Sequence, residues 1–130
     1  MLLTRVSMPP NTGKLYESID LNVLREAVSD DMALFRQLLT MYLDMAKPMY
    51  DRLVRGMLDA DCTECEYASH ALISSTLLIG AVAFTDALRG IERLAQEENH
   101  LGFIDQLPVI ATHFQLVIAE VNAGLQELDG

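Results

Sequence analysis

From Leu34 onward, apolar residues return every three or four positions, and this period limits what the chain can fold into more than any other feature. Leu34, Phe35, Leu38, Leu39, Tyr42, Met45, Met49, Leu53 and Met57 form one such series. Residues three and four apart share a helix face, so the series reads as the inward stripe of a long amphipathic helix. A second stripe is Phe84, Leu88, Ile91, Leu94 and Ala95; a third is Leu107, Ile110, Phe114, Val117, Ile118, Val121 and Leu125. Polarity nowhere alternates with period two for the length of a strand. The expected fold class is all-α.

Capping residues and turn formers divide the pattern. Pro9-Pro10-Asn11-Thr12-Gly13 is turn chemistry, so residues 1–18 are expected to be a flexible arm or linker and 19–130 the folded domain. Asp20 is a good N-cap, and Ile19 and Leu24 are spaced for a hydrophobic staple, giving a short first helix over about 21–28. Ser29-Asp30-Asp31 caps the second helix, which passes through Pro48 with a kink and stops at Asp59-Ala60-Asp61. The third starts near 61–63, where Asp61 with Glu64 or Thr63 with Glu66 could form a capping box, and runs to about Ile79 ahead of Gly80. The fourth covers about 83–97 and the last about 103–128. Long helices with short connections favour an antiparallel up-and-down four-helix bundle carrying a short extra N-terminal helix.

Bulk chemistry narrows the function. The 130 residues suit one domain, and 51% are apolar, enough for a real core. A net charge of −10 argues against nucleic acid or an anionic membrane as partner, since both demand basic patches. The N-terminus lacks the pattern of a signal peptide, and the longest unbroken apolar run, 77–84, is less than half a membrane span. The expectation is a soluble, cytoplasmic protein.

One residue on the third helix stands out. His70 falls on the side also occupied by Ile73, Ser74 and Leu77, opposite Leu72, Ser75, Thr76 and Ile79. No second catalytic group lies near it in sequence. A lone outward imidazole is a weak catalyst by itself, yet a workable phosphoryl acceptor when a partner supplies the rest of the site.

The stretch from His70 to Ala81 resembles the motif of the histidine-containing phosphotransfer domains of bacterial two-component phosphorelays, His-x-Leu-Lys-Gly-Ser-Ser-x-x-x-Gly-Ala. It agrees at His70, Leu72, Ser75, Gly80 and Ala81 without a gap. Ile19-Asp20-Leu21, Leu24-Arg25, Ser29-Asp30-Asp31 and Pro48 look like the opening of that family, so the resemblance runs from Ile19 to about Leu125. It implies a phosphorelay intermediate with His70 as phosphoryl acceptor and no kinase activity of its own. The partners would be receiver domains of response regulators or of a hybrid histidine kinase. The receiver would bring Mg²⁺, so the chain would need no cofactor, and it would act as a monomer. Tyr67, Ile73, Ser74 and Leu77 are the expected receiver-docking residues. Two positions depart from the motif: Ile73 stands where the family has lysine, and Ser74 where it has glycine. Losing that lysine removes a cation beside the transferring group, which should slow transfer. The alternative is a degenerate domain of the same fold that binds a partner without exchanging phosphate.

Other candidates have plainer readings. Cys62 and Cys65 make one C-x-x-C without two further zinc ligands or a βαβ setting, so both read as small apolar residues. Glu66, one turn before His70, could orient the imidazole or serve the helix cap. Glu92, Glu97, Glu98, Glu120 and Glu127 lack the Glu-x-x-His pairing of di-iron bundles. Met41, Met45, Met49 and Met57 read as core filler.

Overall fold

The computed structural model describes residues 18–129. Apart from Ser18, the expected N-terminal arm lies outside the described residues. The described chain is all-helical: α1 (Leu21–Ala27), α2 (Met32–Leu58), α3 (Cys62–Leu78), α4 (Val82–Gln96) and α5 (Gly102–Asp129), with no strand among these residues.

The helix starts follow from three aspartates. Asp20, Asp31 and Asp61 accept from the backbone N–H of Asn22, Leu34 and Glu64, each at 3.1 Å, and so satisfy donors that have no partner inside the helix. The expected box at Asp61 is only half formed, because the Glu64 carboxylate turns to Arg52, 2.7 and 3.0 Å away. Gly80 ends α3 at φ +67°. Its N–H bonds to the Leu77 carbonyl and that of Ala81 to Thr76, the paired bonds of a Schellman cap. A Cβ at Gly80 would stand 2.5 Å from the Asp20 carbonyl oxygen, so glycine also admits the start of α1, whose Asp20 N–H bonds to the Ile79 carbonyl.

Packing follows chain order. α3 contacts α2 and α4, α5 contacts α4 and α2, and α1 lies against α2 and α3. Leu39, Ala46, Leu53, Leu72, Leu88, Ile91, Phe103 and Val117 are fully buried between them. Ile19 and Leu24 are buried in the same core. Two backbone N–H groups, of Ser18 and Ile19, donate to Glu120 Oε1 on α5 at 2.9 and 3.2 Å. Met57 is buried and Met45 and Met49 pack against the core, whereas Met41 is exposed, contrary to its reading as filler. The span Gly102–Leu128 of α5 is long and apolar enough, by length and composition, to cross a membrane. Polar residues interrupt this helix, so no unbroken apolar run of that length stands in the sequence. Here its buried side, Phe103, Ile110, Phe114, Val117 and Val121, packs into the shared core.

Candidate functional site

α3 carries its buried residues, Cys65, Ala68, Ser69, Leu72, Ile73 and Thr76, on one side. Two polar members of that side are satisfied locally: Ser69 Oγ donates to the Cys65 carbonyl at 2.6 Å, and Thr76 Oγ1 meets the Tyr42 hydroxyl at 3.1 Å. With these residues turned inward, His70 is turned out, and its side chain is 77% exposed.

The imidazole is nonetheless held. His70 Nδ1 lies 2.9 Å from Oε2 of Glu92 on α4. A carboxylate only accepts, so Nδ1 carries the hydrogen, and in the neutral ring Nε2 keeps its lone pair. One turn away, Gln96 Nε2 donates to Glu66 Oε2 at 3.1 Å. Both pairs follow from the reversal of the chain at Gly80–Ala81. His70 and Glu92 are each eleven residues from Ala81; Glu66 and Gln96 are each fifteen from it. Beside the ring runs an open groove of about 510 Å³ lined by Thr63, Glu66, Tyr67, His70, Ala71, Glu92 and Gln96.

The other flank of the groove is fixed from α2. Arg52 grips Glu64 through two nitrogens and sits 4.8 Å from the centroid of the Tyr67 ring. Its hydrogen bonds hold the Glu64 carboxyl below the usual carboxylate range. Gly56 lets α2 and α3 approach at this point, since a Cβ there would be 3.2 Å from Cys65 Sγ. Burial pushes the Cys65 thiol up to about 12, so it stays protonated and is a poor nucleophile or ligand. No group of three or more His, Cys, Asp and Glu among the described residues is placed to hold a metal ion.

Of the expected docking residues, Tyr67, Ser74 and Leu77 are exposed around His70. Ile73 is not: it is 8% exposed and belongs to the core. It is three residues from His70, hence rotated about 60° around the axis, onto the buried side of α3 with Leu72 and Thr76. Ile73 is therefore removed from the docking face. Exposed Leu78, one residue beyond Leu77, adds apolar surface that the sequence reading assigned to no role. Glu66, considered for orienting the ring, bonds Gln96 instead, and Glu92 takes that place.

Compared with protein-family models, curated proteins and solved structures, the chain shows no match.

Proposed function

We propose that the protein is a phosphoryl carrier in a relay, with His70 taking the group from an aspartyl phosphate of one receiver domain and passing it to a second. The observation that carries this is an exposed ring whose Nδ1–H is already committed to Glu92, leaving Nε2 as an accessible nucleophile. In the forward step the Nε2 lone pair attacks phosphorus in line. The P–O bond to the aspartyl group breaks, and its electrons leave as carboxylate. No proton has to move: the ring keeps its Nδ1–H and gains positive charge, which Glu92 offsets. Such transfer depends on positioning and charge more than on covalent machinery, so a partner that supplies Mg²⁺ and the phosphate cradle completes the site. Tyr67, Ser74 and Leu77 form the docking rim in this reading.

The scaffold we propose is an up-and-down four-helix bundle of α2 to α5 with α1 closing one end. It is supported by helices that pack on their sequence neighbours and by the return of α5 to α2. The resemblance of the stretch from His70 to Ala81 to the phosphotransfer motif supports the carrier role. Part of that likeness has a purely structural basis, since Gly80 and Ala81 make the turn against α1.

The decisive experiment is incubation with a phosphorylated receiver domain. The carrier reading expects acid-labile, base-stable label on the protein that is lost in His70→Gln. Tight receiver binding without label would instead favour an interaction module that exchanges no phosphate.

A further inference from the structure

A phosphoryl group on His70 would carry close to two negative charges beside two carboxylates, Glu66 and Glu92, which line the same groove. Between receivers, when no partner's Mg²⁺ faces the group, a cation of the chain's own would have to offset that charge. α3 has none: the segment Cys62–Leu78 contains neither Lys nor Arg. Arg52 approaches from α2 but is neutralised by its two bonds to Glu64. The remaining cations near this face are on α4, Arg89 and Arg93.

We infer that Arg89 is the phosphoryl-binding residue of the carrier, an assignment that rests on the reading of His70 as acceptor. Arg89 precedes Glu92 by three residues, so it stands one turn along α4 on a neighbouring part of the same face. The register that sets His70 opposite Glu92 and Glu66 opposite Gln96 places Arg89 level with Ile73, one turn beyond His70 on the side away from Glu66. The α3 position nearest that level is a buried isoleucine, so the cation has to come across the seam from α4. Arg89 is exposed and makes no ion pair with any described residue, which leaves its guanidinium available for the phosphoryl oxygens. Arg93 follows Glu92 directly and is rotated about 100° from it, away from α3.

Potassium phosphoramidate tests this without a receiver. Nε2 displaces ammonia from phosphorus, so the chain's own residues set the rate. Wild type, Arg89→Gln, Arg89→Lys and Arg93→Gln are compared by ³¹P NMR, with the phosphoryl resonance also titrated against pH. Arg89→Gln should slow labelling about tenfold and raise the apparent pKa of the His70 phosphoryl group, because a nearby cation favours the dianion. Arg89→Lys should restore most of both effects, and Arg93→Gln should change neither. Equal labelling and equal titration in wild type and Arg89→Gln would overturn the assignment while leaving the carrier reading intact. A wild-type protein that takes no phosphoryl group at His70 from phosphoramidate or from a phosphorylated receiver would overturn both.

Discussion

The hydrogen bond from His70 to Glu92 decides which ring nitrogen can react. An imidazole bearing its hydrogen on Nε2 has no lone pair there, so in the proposed carrier the carboxylate selects the tautomer that can take the phosphoryl group. In long-range ¹⁵N–¹H spectra of the neutral ring, wild type should show the hydrogen on Nδ1. Glu92→Leu should shift the population toward Nε2–H and slow labelling of His70 several-fold. Finding the hydrogen mainly on Nε2 in the wild type would refute the assigned role of Glu92. This partner was within reach of the sequence. Once Gly80–Ala81 is taken as the turn, residues equally far from it meet, and Glu92 is the residue that meets His70. Spacing along one helix points only to Glu66, one turn from His70, and says nothing of a partner across the seam. Ile73 was misplaced for a related reason. A face drawn through residues three and four apart is about 100° wide, and the sequence does not state which edge of it a neighbouring helix will cover.

Caps explain why the element boundaries were legible to within a residue or two. Asp20, Asp31 and Asp61 are the N-caps of α1, α2 and α3 as their spacing implied. The C-terminal ends were harder to read, because only one of four uses glycine at its left-handed position. Ser29, Ala60 and Glu98 have φ of 53°, 55° and 55°, and each sits inside a Schellman pair of bonds like that of Gly80. A residue with a Cβ costs about 1–2 kcal/mol in that conformation, partly offset by the greater freedom glycine loses on folding. Ala60→Gly should therefore raise stability by roughly 0.5–1 kcal/mol, seen as a higher urea midpoint with an unchanged m-value. Gly80→Ala should behave oppositely and cost about 2 kcal/mol or more. There the added methyl meets backbone and side-chain atoms of Asp20 within 2.8 Å, and the start of α1 has to move. A neutral Gly80→Ala would mean that α1 is not anchored on the end of α3. The turn at Gly80 sets the register of α3 against α4, so this element-level fault should also reach the site and weaken the pairing of His70 with Glu92.

At the scale of the whole molecule, the core holds two acidic protons that unfolding would release to base. Burial pushes the Tyr42 phenol up to about 12 from an ordinary value of 10, and the Cys65 thiol to about 12 from 9. Both residues are almost wholly buried, Tyr42 against Thr76 and Cys65 at the close contact of α2 with α3. Each folded-state value is raised, so below pH 9 both groups are protonated in either state and their contribution to stability is complete. Above that, the unfolded chain loses the thiol proton first and the phenol proton from about 10, while the folded protein keeps both. Unfolding then releases protons, and stability falls with rising pH, by roughly 1 kcal/mol per pH unit for each group. The decline should begin near pH 9, steepen beyond 10 and level off as the folded-state values near 12 are passed. Urea midpoints measured from pH 8 to 12 on wild type, Tyr42→Phe and Cys65→Ala test the attribution. Each substitution should lower stability at pH 8 yet flatten the slope over its own window, Cys65→Ala from pH 9 and Tyr42→Phe from pH 10. Slopes identical to wild type in both variants would place the alkaline weakness elsewhere.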